Sequence, residues 1–198
     1  MTQIVSRETM DRFQIYKVLL LKWQKAINLV SRETIKDLEN RHFKDSLQLL
    51  DYISEDLTSH LDLGSGAGFP GLVLAIASSR LQTTLVESDQ RKCEFLKNVS
   101  RETKTPVTIL NVRIENLGNE SKYDLITARA LAPLIDLLKY SEPLSHDGTQ
   151  FLFLKGRGFK EEIEDAEKKW KFDLEIFHSS THSEGVIIQI KNLKKKEG

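Results

Sequence analysis

The sequence predicts an α/β protein with a mostly parallel β-sheet and an N-terminal helical extension. Three observations lead to this prediction. From residue 60 onward, short apolar segments alternate with amphipathic ones, which is typical of parallel strands joined by crossover helices. Residues 1–57 instead carry apolar side chains at helical spacing. Near the C-terminus, two apolar segments are separated by a turn too short for a crossover, so they must run antiparallel.

The N-terminal extension is predicted to contain two helices, at residues 6–30 and 32–56. Ser6 can cap the first helix through its hydroxyl group. Apolar residues recur at helical spacing in both, at Met10, Phe13, Leu20, Trp23, Ile27 and Val30 in the first and at Leu38, Phe43, Leu47, Leu50 and Ile53 in the second. We therefore expect residues 1–57 to pack as a helical extension on the core domain.

The core domain is predicted to span residues 58–192 and to hold seven strands. Five parallel strands are expected at 60–63, 83–87, 107–111, 123–127 and 151–155, with helices near 70–79, 90–103, 133–141 and 159–170. A terminal antiparallel hairpin is expected at 172–178 and 185–191. The basic residues of 193–198 are expected to form a solvated tail.

Composition limits the class of protein. Lys+Arg and Asp+Glu both number 29, so a net charge of zero neither favours nor excludes a nucleic-acid partner. The one cysteine, Cys93, is expected to be a small core or helix residue. A single cysteine excludes an internal disulfide and fits a reducing compartment. No apolar run reaches about 18 residues, and the N-terminus lacks a signal-peptide pattern. We expect a cytoplasmic monomer with no membrane contact.

No metal site is predicted. His178 and His182 lie four residues apart, a spacing that suits zinc only on a helix. They fall at a strand end and in a turn, with no cysteine near them in the sequence.

The segment HLDLGSGAGFPG fits two cofactor patterns at once. Gly66, Gly68 and Gly71 spell G-x-G-x-x-G, the pattern of dinucleotide binders. Gly64, Gly66 and Gly68 spell G-x-G-x-G, preceded by Asp62, which suits a nucleoside cofactor without a pyrophosphate. In both cases the glycines permit a tight turn and a close approach of the backbone to a ligand.

Asp62 and the terminal hairpin favour the second pattern. A carboxylate at this position would repel a pyrophosphate but attract the sulfonium and ammonium groups of S-adenosylmethionine. Glu87, at the end of the second strand, can accept both ribose hydroxyls of either cofactor. An antiparallel hairpin after five parallel strands is the usual methyltransferase sheet. The sequence thus predicts a Rossmann-like class I S-adenosylmethionine-dependent methyltransferase fold, with an NAD oxidoreductase as the alternative.

Basic residues concentrate where the predicted strands end. They are Arg113, Arg129, Lys155, Arg157 and Lys160, with Arg91 and Lys92 opening the helix after the second strand. Cations at this edge predict a substrate that carries phosphate groups. The alternative is that several of them pair with Asp89, Glu115 or Glu161.

The segment TARALAP, after the fourth strand, lacks the residues that two known methyl-transfer mechanisms require. It holds no Asn/Asp-Pro-Pro-aromatic motif to orient an amine and no cysteine to attack a pyrimidine ring. An acceptor with a free lone pair, such as purine N7, needs neither, because no proton has to be removed and positioning can supply most of the catalysis.

In the segment RHFKDSL, Asp45 can pair with Arg41 four residues earlier, and His42 is a candidate for a functional contact.

Seven segments together resemble one known family, the bacterial RsmG (GidB) 16S rRNA guanine-N7 methyltransferases. They are INLVSR, RHFKDSL, LDLGSGAGFPG, LVESDQRKCEFL, VRIENL, YDLITARALAPL and FLFLKG, and the likeness runs from about residue 26 to 190. The resemblance implies transfer of a methyl group from S-adenosylmethionine to N7 of guanosine 527 of 16S rRNA, in the small ribosomal subunit.

The resemblance also implies roles for individual residues. Arg129 would position the reactants, at both the cofactor and the acceptor, while Glu87 binds the ribose and Ile114 and Glu115 flank the adenine. With the glycine turn, the full cofactor set is Asp62, Gly64, Gly66, Gly68, Phe69, Glu87, Ile114, Glu115 and Arg129. The predicted RNA contacts are Arg41, His42, Lys155, Arg157 and Lys160.

Two other functions stay open on the same fold. A small-molecule methyltransferase would have a deep closed pocket and no need for Arg157 or Lys160. A non-catalytic RNA- or ribosome-binding module would keep S-adenosylmethionine as a structural ligand and show no turnover.

Overall fold

A seven-stranded sheet forms the centre of the computed structural model, which describes residues 5–197. The strands are β1 Ser59–Leu63, β2 Gln82–Glu87, β3 Thr108–Asn111, β4 Leu125–Arg129, β5 Gln150–Lys155, β6 Trp170–His178 and β7 Val186–Lys195. Their order is β3-β2-β1-β4-β5-β7-β6. β1 to β5 are parallel, and β7 runs antiparallel to both β5 and β6. The predicted sheet with its terminal hairpin is confirmed.

Helices cover both faces of the sheet. The α-helices are α1 Arg7–Trp23, α2 Asp45–Leu47, α3 Gly71–Ala77, α4 Gln90–Glu102, α5 Leu134–Ser141 and α6 Phe159–Glu167. α5 and α6 pack on one face around Leu61, Ile126 and Phe153. α1, α3 and α4 pack on the other face around Leu85. None of the helices within residues 5–197 is long and apolar enough to cross a membrane.

The first N-terminal helix is shorter than predicted. Ser6 caps it as expected, accepting a hydrogen bond from the Thr9 backbone, but the helix ends at Trp23 instead of continuing to residue 30. The Gln24 side chain accepts from the backbone N–H groups of residues 29 and 30 and donates to the Val30 carbonyl, which folds the chain back. Met10, one of the apolar residues at helical spacing, is 49% exposed.

The second predicted helix, 32–56, is wrong as a single element. The segment 34–51 is instead a series of short helical turns: a 3₁₀-helix at Thr34–Asp37, a π-helix at Glu39–Lys44, α2, and a second 3₁₀-helix at Gln48–Asp51. The wider π-turn changes which side chains face the sheet. It buries His42 and Phe43 there, directly before α2.

The C-terminal hairpin is longer than predicted. β6 begins at Trp170, which is buried, and β7 continues to Lys195, which pairs with Trp170. Residues 193–195 of the expected tail are therefore part of the sheet.

A buried polar chain crosses the neighbouring strands β2, β1 and β4. His60 Nδ1 lies 3.1 Å from Thr83 Oγ1, and His60 Nε2 lies 2.9 Å from Thr127 Oγ1. Thr127 Oγ1 donates to Asp62 Oδ1 at 2.6 Å, so it must accept the proton on His60 Nε2. Burial lowers the pKa of His60 to about 3 and raises the pKa of Asp62 to about 6. This chain links β1, β2 and β4 below the glycine turn.

Gly71 allows α3 to start directly against the sheet. A Cβ atom at this position would lie 2.5 Å from Asp62 Cβ and 2.6 Å from Leu85 Cδ2. Both neighbours are fully buried, so neither has room to move.

We expect Gly71→Ala to lower the free energy of unfolding by about 1–3 kcal/mol, because the added methyl group overpacks the contact between α3 and the sheet. Gly156→Ala is the matched control, since a Cβ at Gly156 meets no atom within 4 Å. Urea denaturation of both variants makes the measurement. Equal stability of the two variants would contradict the close approach at Gly71.

Candidate active site

A cavity of about 700 Å³ opens above the carboxyl ends of β1, β2 and β4. Seven of the nine residues predicted to bind a cofactor line it, namely Gly64, Gly66, Phe69, Glu87, Ile114, Glu115 and Arg129. They come from the turn after β1, the end of β2, the turn after β3 and the end of β4. The carboxyl edge of a parallel sheet brings these separate segments together.

The two remaining residues of that set, Asp62 and Gly68, lie beneath the cavity. Asp62 is fully buried and bonds to Thr127, so its carboxylate supports the glycine turn from below. Gly68 has a φ of +92° and lies against the Tyr16 hydroxyl, which donates to the Ala67 carbonyl. Gly68 therefore lets α1 pack under the turn.

The Glu87 carboxylate is held in place by two backbone groups. Its Oε2 accepts from the Gly66 N–H at 2.9 Å, and its Oε1 accepts from the Asp89 N–H at 2.8 Å. Each oxygen keeps a second lone pair, and Glu87 lines the cavity. The carboxylate is thus prepared to accept two neighbouring hydroxyl groups.

Arg129 connects the end of β4 to the N-terminal extension. Its Nη2 lies 2.8 Å from His42 Nδ1, and its Nη1 donates to the Arg41 carbonyl at 3.2 Å and to Asp45 Oδ2 at 3.3 Å. The guanidinium carbon lies 4.9 Å from the centre of the Phe69 ring. Burial lowers the pKa of Arg129, and the Asp45 carboxylate opposes that shift. The guanidinium remains charged, because arginine does not lose its proton in proteins.

His42 is neutral because of this contact and its burial. An arginine only donates, so His42 Nδ1 accepts and the ring proton sits on Nε2. Burial first, and then the charges of Arg129 and Arg41, lower the pKa of His42 from 6.5 to about 3. The Nδ1 lone pair is occupied, so the ring does not serve as a proton acceptor there.

Asp45 has different partners from the one predicted. The expected pair with Arg41 is replaced by contacts with Arg129 and with Thr181, whose Oγ1 donates to Asp45 Oδ1 at 2.8 Å. Gln48 Nε2 also donates to the same oxygen at 2.9 Å. The carboxylate therefore joins the N-terminal extension to β4 and to the turn between β6 and β7.

A second cavity of about 520 Å³ adjoins the first above the ends of β4 and β5. Residues that line both cavities include Arg41, Asp45, Arg129 and the segment 130–132. Lys155 and Glu162 line the second cavity only. A ligand in the first cavity and a ligand in the second would thus meet beside Arg129.

The predicted RNA contacts fall into two groups. Arg41, His42 and Lys155 line the cavities, whereas Arg157 and Lys160 are exposed outside them. Lys155 is 9% exposed, and its Nζ donates to Glu162 Oε2 and to the Ala132 carbonyl, both at 2.6 Å. Arg157 is 83% exposed and pairs with Glu184 at 2.7 Å.

The basic residues at the strand ends were expected, as the alternative to phosphate contacts, to pair with Asp89, Glu115 or Glu161, and several of them have other partners. Of the three acidic partners considered, Asp89 does pair with a rim cation, lying 3.7 Å from Arg91. Lys155 and Arg157 instead use Glu162 and Glu184, which the sequence pattern did not single out.

The thiol of Cys93 and the possible metal ligands lie as follows in the fold. Cys93 is buried as expected, and its thiol donates to the Glu87 carbonyl at 3.3 Å. Within residues 5–197, no group of three or more His, Cys, Asp or Glu side chains is arranged to hold a metal ion.

Comparison with known proteins identifies the family. The family model described as rRNA small subunit methyltransferase G matches residues 9–189. The chain belongs to this family. It is 46% identical over 191 residues to the Ribosomal RNA small subunit methyltransferase G of Paramagnetospirillum magneticum, covering 96% of this chain and 92% of that one. It is 45% identical over 198 residues to the protein of the same name from Parvibaculum lavamentivorans, covering 98% and 88%.

Solved structures of other methyltransferases share the fold at low sequence identity. A ribosomal protein L11 methylase from Lactobacillus delbrueckii subsp. bulgaricus matches with a TM-score of 0.61 at 14% identity, covering 79% of each chain. A TehB-like SAM-dependent methyltransferase from Corynebacterium glutamicum matches with a TM-score of 0.59 at 15% identity, covering 93% of this chain and 97% of that one. The class I S-adenosylmethionine-dependent methyltransferase fold is thereby confirmed.

The neutral state of His42 predicts a pH dependence of stability. In the unfolded chain a histidine takes up a proton below about pH 6.5, whereas folded His42 does so only near pH 3. The unfolded state therefore binds more protons in this range, and the free energy of unfolding falls as the pH falls from about 6.5 toward 3.

We expect His42→Gln to reduce this loss, since glutamine keeps an acceptor for Arg129 but does not titrate. Urea unfolding at about pH 7, 5.5 and 4 gives the comparison. His178→Gln, at an exposed position, should retain the wild-type pH dependence. Parallel curves for wild type and His42→Gln would show that His42 is not held neutral.

Proposed function

We propose that this protein transfers a methyl group from S-adenosylmethionine to N7 of a guanine in small-subunit rRNA. The observation that carries the proposal is the pair of adjoining cavities that meet at Arg129 in a member of the rRNA small subunit methyltransferase G family. By the same family membership, the proposed target is guanosine 527 of 16S rRNA, and the reaction belongs in the cytoplasm, with the ribosome.

The residues of the first cavity fit S-adenosylmethionine. Glu87 has a lone pair free on each oxygen for the two ribose hydroxyls. The turn at Gly64 has a φ of +64°, and a Cβ there would lie 2.5 Å from Leu131 Cδ1. Glycine suits this backbone conformation, and the absence of a side chain leaves the Gly64 backbone at the cavity wall, open to a ligand. When bound, S-adenosylmethionine supplies an electrophilic methyl group on a sulfonium.

The second cavity suits an acceptor that needs no proton removed. His42 keeps its accepting nitrogen occupied by Arg129, and the Asp45 carboxylate accepts from Arg129 and Thr181. Guanine N7 has a free lone pair, so this wall need only position the base and exclude water. Correct placement of two reactants can account for about 7–11 kcal/mol of a barrier.

Exposed cations beside the second cavity suit an RNA substrate. Arg157 and Lys160 lie outside the cavity and are open to solvent, as phosphate contacts require. Lys92 and Arg113 line the first cavity and extend the basic edge. A base in an RNA loop can leave its stack and enter such a cavity at lower cost than a base in a duplex.

The direct test is methyl transfer from labelled S-adenosylmethionine to small ribosomal subunits that lack the modification, followed by nucleoside analysis of the rRNA. We expect the label in 7-methylguanosine at a single site. Cofactor binding without label in RNA would contradict the proposal and favour a small-molecule methyltransferase or a non-catalytic ribosome-binding module. Binding of NAD in preference to S-adenosylmethionine would favour an oxidoreductase.

Arg129→Ala should reduce methyl transfer about 100-fold or more, because it removes the side chain that positions the reactants where the two cavities meet. The fold should persist, which circular dichroism and the unfolding transition will show. Arg101→Ala is the control, since Arg101 is an exposed arginine in the last turn of α4 that pairs with Glu102. Near-normal transfer by Arg129→Ala would rule out its proposed role.

A further inference from the structure

A paired hydrogen-bond donor and acceptor line the second cavity but not the first. Lys155 Nζ and Glu162 Oε2 lie 2.6 Å apart, and both residues line the cavity. Lys155 is held on the end of β5 and Glu162 on the first turns of α6, so two rigid elements fix the pair. Donor and acceptor therefore stand side by side at a fixed spacing.

Each member of the pair has bonding capacity left over. Glu162 Oε2 accepts from Lys155 and from the backbone N–H of Leu134 at 2.7 Å. Glu162 Oε1 accepts from no described residue and is not a buried atom, so it remains open to a ligand. Lys155 Nζ uses two of its three N–H groups on Glu162 and Ala132, which leaves one free.

We infer that Lys155 and Glu162 read the Watson–Crick edge of the acceptor base and make the second cavity specific for guanine. Guanine presents an acceptor, O6, beside two donors, N1–H and the N2 amine. Lys155 donates to O6, and Glu162 Oε1 accepts from N1–H and N2. Adenine has the reverse arrangement, with a donor at position 6 and an acceptor at N1. Its amine would face the Lys155 ammonium and its N1 would face the Glu162 carboxylate, so neither contact could form.

The placement agrees with transfer at N7. The N2 amine lies at the end of the base away from N7. Arg129 lines both cavities, whereas Glu162 lines only the second. A base with N2 at Glu162 therefore directs N7 toward Arg129 and the first cavity. This inference rests on the proposed function, since it takes a base as the occupant.

The test uses inosine, which keeps N7, O6 and N1–H but lacks the N2 amine. Small subunits are reconstituted with 16S rRNA that carries guanosine or inosine at the target position, and kcat/KM for methyl transfer is measured for each. For the wild type we expect guanosine to be preferred about 10-fold or more, the effect of losing one good base contact. Equal kcat/KM values of the wild-type protein for inosine and guanosine would by themselves overturn the inference.

Glu162→Gln inverts the polarity of the atom that faces the cavity. The glutamine carbonyl must replace Oε2 to accept from Lys155 and Leu134, so its amide NH₂ takes the place of Oε1 and opposes the donors of guanine. We expect a loss of about 10-fold or more in kcat/KM with guanosine and a smaller loss with inosine. The preference for guanosine should therefore collapse.

Matched controls separate a specific role from a structural one. Glu161→Gln makes the same change at the exposed neighbouring position and should behave as wild type. Affinity for S-adenosylmethionine should be unchanged in both variants. An equal loss with guanosine and inosine would assign Glu162 a structural role and overturn the inference. Absence of transfer by the wild type would instead refute the proposed function itself.

Discussion

The buried guanidinium of Arg129 is the constraint on which the rest of the site depends. A charge taken out of water is costly unless partners surround it, and here three of them come from one short segment of the N-terminal extension. Asp45 supplies the counter-charge, His42 a neutral nitrogen and Arg41 a backbone carbonyl. The end of β4 and the extension therefore stabilise each other, and both cavities take their shared wall from this contact.

The irregular helical segment follows from the same requirement. A regular α-helix over residues 32–56 would present a single apolar stripe to the core. The π-turn at Glu39–Lys44 instead places buried His42 beside Phe43, directly ahead of Asp45. Ser46 supports the turn by donating to the His42 carbonyl at 2.7 Å. Polar groups for Arg129 and apolar groups for the core thus come from neighbouring residues.

The sequence predicts the sheet well because its signals are local. Alternating apolar strands, the glycine turn after β1 and Glu87 at the end of β2 each lie within a few residues of one another. Asp62 was predicted to face a ligand, since its place at the strand end is visible but its burial is not. The chain from His60 through Thr127 depends on the pairing of β1 with β4, which no local pattern contains.

The same reason explains which site residues the sequence did not reveal. Glu162 lies on α6, where its charge resembles that of its neighbours, and Thr181 lies in a polar turn. Both gain a role only through partners distant in sequence, Lys155 and Asp45. For Asp45 the helical spacing predicts Arg41 as the partner, and the π-turn changes that geometry.

A double-mutant cycle on Arg129→Ala and Asp45→Asn tests the central contact most directly. The free energy of unfolding is measured for the wild type, both single variants and the double variant. Because the two side chains are each only 17% exposed and lie 3.3 Å apart, we expect a coupling energy of about 1–3 kcal/mol. Effects that add to within about 0.5 kcal/mol would contradict the account, since Arg129 would then not depend on the N-terminal extension.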